Sequence, residues 1–287
     1  MFFKKPTFYR IGKIDVDALE AALANCQFTD ILPDQTTSFG WAPVFEDQMM
    51  FSSHKHLLLK FMVERKKIPA STVQTMLTAA CKKIEDDQGF APGKKARAEL
   101  KERIVDELTP RALPVRAATL VWIDLEAKML VIDTHTVGVI DEINSVLLKT
   151  ESIEINHLEA WPGKVMTGWL FVPDGGDVLP EGYTIDDAVK MEYPGERGTT
   201  VTFGKANLYD PAVAVHVSNG AQVIAMAMTF NDRISFTLLP TGQLAGVKPL
   251  DIIKDNQVEK DVDVFENDFL LMALELRALS ASLIANA

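Results

Sequence analysis

Lys94-Lys95-Ala96-Arg97-Ala98-Glu99-Leu100-Lys101-Glu102-Arg103, continuing through Thr109-Pro110-Arg111-Ala112 to Val121-Trp122-Ile123-Asp124, is the stretch whose reading decides the fold. Its first half has helical spacing, and its second half is β-branched and aromatic and reads as a strand. On a wheel at about 100° per residue, Lys94, Arg97 and Lys101 fall within about 60° of one another. Leu100, Ile104, Val105 and Leu108 share their azimuth one or two turns later. A core-facing side that begins cationic and ends apolar describes a helix anchored at its end and free at its beginning. Such a helix is expected to project and to present Lys94, Lys95, Arg97 and Lys101 to phosphates, with Arg111 and Arg116 close behind in sequence. Phosphate contacts of that kind give affinity without sequence preference.

On the upstream side, Pro69 opens a second helix carrying Val73, Met76, Leu77 and Ala80, which ends near the breaker cluster Gly89-Phe90-Ala91-Pro92-Gly93. The two helices, at about 71–87 and 94–108, are expected to form an antiparallel pair. Further upstream, Phe2–Ile14 reads as a strand and Asp15-Val16-Asp17 as the cap of a short helix with Leu19, Ala22 and Leu23. His56–Val63 returns as a strand whose run Leu57-Leu58-Leu59 implies cover on both faces.

Downstream, residues 117–123 and 129–132 predict a hairpin turning at Asp124–Lys128, then a helix at about 137–149 and a strand at about 152–158. Residues 162–204 are dense in Gly and Pro and are expected to hold short strands and loops. A helix at about 210–218 precedes a second hairpin, Val223–Phe230 against Ile234–Leu239, turning at Asn231-Asp232. The last helix carries Phe265, Phe269, Met272, Leu276, Leu279 and Leu283 on one stripe, which is expected to pack on the chain's own sheet. Strands and helices mix without a strict βαβ rhythm, so the class is α+β. The 287 residues are expected to form one unit, with 1–68 and 117–160 as an α+β body, 69–116 as a projecting helical region and 161–287 as a C-terminal α+β region.

The chain is acidic, with 29 Lys+Arg against 40 Asp+Glu. That total opposes long-range attraction to nucleic acid. The charge is segregated, however. Residues 1–116 hold 18 basic and 15 acidic side chains, and the remainder holds 11 and 25. Uneven composition of a solvated surface gives the same count, so charge alone does not choose between the two readings. Cys26 and Cys81 are too few for a disulfide framework, and Lys4-Lys5-Pro6 interrupts the apolar start. The expectation is a soluble cytoplasmic protein.

Spacing argues against several chemistries. Gly89-Phe90-Ala91-Pro92-Gly93-Lys94-Lys95 has three residues between its glycines instead of four, and Lys95 where a magnesium-holding hydroxyl belongs, so it does not fit a phosphate-binding loop. Asp124, Glu126 and Lys128 imitate the carboxylate and Glu-x-Lys pattern of metal-dependent nucleases, but all three fall in one predicted turn. His54-Lys55-His56 is the only close histidine pair and has no neighbouring Cys or carboxylate ligands. No catalytic residues, metal or cofactor are therefore assigned.

The residues resemble the RdgC family of recombination-associated proteins. The resemblance runs through Phe3–Arg10, Gly40-Trp41-Ala42-Pro43, Pro110-Arg111-Ala112, Trp122-Ile123-Asp124, Asn231-Asp232-Arg233-Ile234-Ser235-Phe236 and Phe265-Glu266-Asn267-Asp268-Phe269-Leu270-Leu271-Met272. It implies a homodimer closed into a ring whose basic inner wall encircles double-stranded DNA, is associated with the nucleoid and restrains RecA-dependent recombination. Ring closure is implied at Leu113, where an aromatic is usual in the family, and at Lys205 with Ala206, where a lysine and a polar amide are usual. The inner wall is expected to draw on Lys66, Lys67, Lys94, Lys95, Arg97, Lys101, Arg111, Arg116, Lys205, Arg233 and Lys248. Arg233 serves equally well as a hairpin-turn salt bridge. The second hairpin carries Ala221, Ala225, Ala245 and Gly246 where the family places cations, so its contribution is expected to be reduced. A metal-dependent exonuclease and an adaptor acting through protein contacts are the alternatives.

Overall fold

The computed structural model describes residues 3–148, 155–157, 163–170, 179–195, 198–250 and 262–285. Two antiparallel sheets and seven α-helices account for the described residues, an α+β architecture. The first sheet is built from β1 (Pro6–Ile11), β2 (Thr37–Ala42), β3 (Met50–Ser53), β4 (His56–Lys66), β5 (Pro114–Asp124), β6 (Met129–Asp133) and β7 (Ile155–His157). Its order is β2-β4-β5-β6-β1-β7, with β3 on the remaining length of β4. The second sheet runs β12 (Leu244–Pro249), β11 (Ile234–Leu238), β10 (Gln222–Phe230), β8 (Tyr183–Glu192) and β9 (Thr200–Phe203).

The triple leucine of β4 shows how the layers form. Leu57 and Leu59 enter a core with Leu19 and Leu23 of α1 (Val16–Asn25) and Val139, Ile140 and Ile143 of α4 (Val137–Leu148). Leu58, on the other face, joins Trp122, the second sheet and the terminal helix α7 (Val262–Ala285) in a separate core. Both faces are covered, as the apolar run predicts. Asp15 caps α1 by accepting from the Asp17 and Ala18 amides at 3.0 and 3.3 Å. Gly40 is required at its position because a Cβ there would lie 2.6 Å from the Phe28 nitrogen.

The stripe of α7 is buried, but between the two sheets rather than on one. Phe269, Met272, Leu276 and Leu279 share a core with Trp122 and Val131 of the first sheet and Met226, Met228 and Phe236 of the second. Phe265 stacks on Phe45 at 4.5 Å and meets Phe51 edge-on at 5.0 Å. The helix is thus a wedge that joins two layers.

Other expectations shift at their edges. The N-terminal strand is shorter than Phe2–Ile14, and Phe2 lies outside the described residues. Of the strand expected at about 152–158, residues 155–157 pair with β1, and the rest lies outside the described residues, as does residue 149, the last of the helix expected at about 137–149. The reading of 162–204 as short strands and loops holds at the four-residue β9 and is corrected at two other elements. That region holds α5 (Gly163–Leu170) and the ten-residue β8, while 171–178 and 196–197 lie outside the described residues. Gly and Pro density misled because Gly163 and Gly168 lie within α5 itself, whereas Pro180, Gly182, Pro194 and Gly195 only flank β8. The amide of Val223 in β10 ties α5 to the second sheet by donating to Thr167 Oγ1 at 2.9 Å. No helix among the described residues is long and apolar enough to cross a membrane.

Candidate nucleic-acid interface

The connection between β4 and β5 carries the candidate site. These strands pair over eleven positions, from His56 with Asp124 to Lys66 with Pro114. The chain between them folds as α2 (Ala70–Gln88) and α3 (Lys94–Leu108), followed by a single 3-10 turn at Thr109–Arg111. Pro69 occupies the N-cap of α2, and Gly89 ends it with φ +79°, a left-handed position that suits glycine. The five residues 89–93 reverse the direction. Val73, Leu77 and Ile104, with Met76, Ala80, Leu100 and Leu108 around them, form a cluster separate from the two sheet cores. The antiparallel pair therefore holds itself together chiefly by its own small core.

Lys94 and Lys95 stand in the first turn of α3, beside an N-terminus that prefers anions. Glu85, Asp86 and Asp87 crowd the last turn of α2, where cations are preferred. Each helix breaks the local rule, and the reversal sets the two unfavourable ends side by side. Arg97 shares a surface concavity of about 540 Å³ with Glu85 and Asp86. A wheel of α3 alone sees a basic side, whereas the folded pair places an acidic helix end next to it.

Lys94, Lys95, Arg97, Lys101 and Arg111 are exposed, and among the described residues none of them makes an ion pair or side-chain hydrogen bond. Lys67, Lys205 and Lys248 are likewise exposed, with no side-chain partner among the described residues. Leu113 is 83 % exposed, and Val115 beyond it is also exposed. At about 1.5 Å per residue, the fifteen residues of α3 put its basic start some 20 Å from Leu113. The cationic start of α3 and Leu113 are thus at opposite ends of the helical pair.

Three of the cations have internal partners. Arg116 Nε donates to Glu64 Oε1 at 2.8 Å, its Nη2 donates to Asp30 Oδ1 at 2.6 Å, and the guanidinium lies over the Phe28 ring. The Arg116 hydrogen bond, with a second from the Ile31 amide, holds the Glu64 carboxyl below its ordinary range. Lys66 Nζ donates to the carbonyls of Leu32 and Pro33 at 2.9 and 2.5 Å, fixing the loop before β2. Arg233 Nε donates to Glu275 Oε1 at 2.6 Å, so its salt bridge joins the second hairpin to α7 rather than closing the turn. The Glu64–Arg116 pair had a legible signal, since the two stand directly opposite once β4 and β5 are paired from their hairpin-like ends. The other partners are remote in sequence and gave none.

Lys205 adopts a left-handed φ of 53°, and the following Ala206 amide donates to the Asp187 carbonyl at 3.1 Å. Both lie just after β9 on the second sheet, away in sequence and in sheet from Leu113.

The carboxylate and Glu-x-Lys pattern resolves into a brace. Asp124 is fully buried and accepts from Arg277 Nε at 2.5 Å and Nη2 at 2.7 Å, and from the Glu126 and Ala127 amides at 3.0 and 2.8 Å. Glu126 takes a third bond from Arg277 at 3.0 Å. His56 Nδ1 accepts from Trp122 Nε1 at 3.2 Å, and burial lowers the His56 pKa. Both oxygens of Asp124 are thus occupied by α7 or by its own turn, whereas a metal-dependent nuclease needs its carboxylate open to the ion.

Residues 1–286 match the family model described as "Putative exonuclease, RdgC". The chain belongs to the RdgC family. Proteins named recombination-associated protein RdgC are similar along almost their whole length. The one from Burkholderia orbicola (strain MC0-3) is 35% identical over 99% of this chain and 94% of its own. Those from Janthinobacterium sp. (strain Marseille) and Bordetella pertussis (strain Tohama I) are each 32% identical over 99% of this chain and 97% of their own. In this RdgC chain the family blocks Trp122-Ile123-Asp124 and Phe265–Met272 meet across the layers, where Phe269 lies edge-on to His56 beside Trp122.

Proposed function

We propose that this RdgC chain binds double-stranded DNA without reading its sequence, as a homodimeric ring that restrains RecA-dependent recombination. The observation that carries the reading is the cationic start of α3, whose side chains lack partners among the described residues, whereas Arg65, Arg116 and Arg277 each have one. The α2–α3 pair, with its separate core, projects from the β4–β5 ribbon and offers Lys94, Lys95, Arg97 and Lys101 to phosphates. Arg111 and Lys67 at its root, and Lys205 and Lys248 on the second sheet, extend the inner wall. Lys66, Arg116 and Arg233 contribute less, since each would have to give up an internal partner. Leu113 and the Lys205–Ala206 turn supply the two closures of the ring, and the protein associates with the nucleoid. Enclosure reconciles duplex binding with the acidic total, because a ring can be acidic outside and basic inside.

The test is salt dependence. If six to ten phosphates are contacted, duplex affinity falls by roughly three to five decades between 50 and 200 mM salt. An affinity insensitive to salt overturns the reading. Trapping on closed-circular but not linear duplex, measured with oligomeric mass, tests the ring.

The reading is of a binding protein rather than an enzyme. An exonuclease is the second reading, favoured by the family description and by the Asp124-Glu126-Lys128 pattern. End-labelled duplex shortened with Mg²⁺ or Mn²⁺ by the parent, and not by Glu126→Ala, establishes it. An adaptor role predicts RecA binding that persists without DNA.

A further inference from the structure

We propose that Lys13, Lys55 and Lys128 form a phosphate-binding site at the end of the first sheet opposite the helical pair. Three turns converge there. Lys13 follows β1, Lys55 sits in the turn between β3 and β4, and Lys128 closes the turn between β5 and β6. The Leu125 amide donates to the Lys55 carbonyl at 3.0 Å and the Ile11 amide to the Lys128 carbonyl at 2.9 Å, so backbone bonds clamp the three segments together.

The lysines line a concavity of about 350 Å³ whose other walls are Ile11, Gly12, Ile14 and Leu125. No carboxylate lines it. The acids nearest in sequence are committed elsewhere: Asp124 and Glu126 to Arg277, and Asp15 to the first amides of α1. Among the described residues, the side chains of Lys13, Lys55 and Lys128 make no ion pair or hydrogen bond. Three exposed lysines thus line one hollow with no carboxylate in its lining, in a chain of net charge −11.

Two of the lysines also hold costly positions. Lys55 has φ 65° and Lys128 φ 52°. Left-handed turn positions in hairpins favour Gly or Asn, so local preference does not explain a lysine at either. A local rule broken twice around one hollow is the pattern expected of a binding site. A neighbouring concavity of about 470 Å³ shares Ile11 and Lys128 and adds the exposed Arg10, which extends the basic rim.

The chemistry selects a phosphate group. Ammonium groups are compact point charges with three donors each, suited to the several oxygens of a tetrahedral anion. The apolar walls lower the local dielectric and strengthen the attraction. No aromatic ring lines the hollow, so nothing there stacks a nucleobase. The phosphate comes either from a nucleic-acid backbone or from a free phosphate or nucleotide. The site stands apart from α3, since the eleven paired residues of β4 separate them by about 33 Å at roughly 3.3 Å per residue.

The intact chain is titrated with inorganic phosphate against chloride of equal ionic strength, and separately with a short duplex. The parent, Lys13→Gln/Lys55→Gln/Lys128→Gln and Lys94→Ala/Lys95→Ala/Arg97→Ala/Lys101→Ala are compared. All substituted side chains are exposed, and unchanged thermal melting verifies folding. The expected result is saturable phosphate binding by the parent and the α3 variant, weakened at least tenfold in the lysine-hollow variant. A tenfold loss of duplex affinity in the lysine-hollow variant identifies the backbone as the source, and unchanged duplex affinity identifies free phosphate. If phosphate does not saturate the parent and the lysine-hollow variant binds duplex as the parent does, the proposal is overturned. Failure of the α3 variant to lose duplex affinity bears only on the ring reading.

Discussion

The α7 wedge and the α2–α3 pair use the same cationic residue types to opposite ends. In the wedge, Arg277 makes three bonds to Asp124 and Glu126, and Arg233 reaches Glu275. In the pair, Lys94, Lys95, Arg97 and Lys101 reach no partner among the described residues. The wedge is embedded in the largest core, whereas the pair has three buried apolar residues of its own. A buried charge must be matched because desolvation is costly, while an exposed one is free to meet a ligand. Partnering, more than sequence clustering, therefore separates cations that hold the fold from cations left without a partner among the described residues.

That contrast is sharpened first at Phe269, which is fully buried between the sheets. Phe269→Ala is expected to lower global stability by about 3–5 kcal/mol in denaturant unfolding. Arg277→Ala comes next, at about 3 kcal/mol, because it strands the buried Asp124 carboxylate. An Asp124→Asn/Arg277→Met double variant should lose less than the two single losses added, and full additivity would deny the coupling.

Ile104→Ala, in the cluster of the helical pair, is expected to cost about 2 kcal/mol locally. Hydrogen exchange should show α2 and α3 losing protection while β4, β5 and β6 keep theirs. Equal loss in the sheet would break the comparison, since the pair would then not be a separate cooperative unit.

A smaller effect follows from pH. Burial lowers the pKa of His56 and His135 below the ordinary 6.5. The unfolded chain therefore takes up these protons first as pH falls, so their stabilising contribution is complete above about 6.5 and is lost below it. Unfolding measured at pH 7.5 and 5.5 should show the fall, and His56→Gln should reduce it. The smallest stability change, within about 0.5 kcal/mol, belongs to the fourfold Ala variant of Lys94, Lys95, Arg97 and Lys101. On the proposed function it should still reduce the salt slope of duplex binding by about 0.9 for each phosphate it no longer neutralises. A large stability loss in that variant would give these cations a structural role and erase the distinction.

Element positions were legible wherever a period or a cap was strong. The triple leucine of β4, the Asp15 cap, the Gly89 stop and the Asn231-Asp232 turn each act through neighbours in the chain, and each appears in the fold. Residues 163–192 were misread because α5 and β8 are stabilised by contacts with β10 more than by their own composition. The candidate site was legible as a set of cations but not as a set of free ones. Arg116 and Lys101 look alike in sequence, and only the pairing of β4 with β5 and the approach of Asp30 distinguish them.

The sequence by itself determined the α+β class, most helices and hairpins, the membership of the RdgC family and the amphipathic stripe of the last helix. Tertiary structure alone decided that this stripe wedges between two sheets, that Asp124 belongs to Arg277 across 153 residues, and that Lys13, Lys55 and Lys128 meet in one hollow. The physical reason is range. Periodicity and capping act within a few residues, whereas desolvation and ion pairing depend on which distant segments the packed layers bring together.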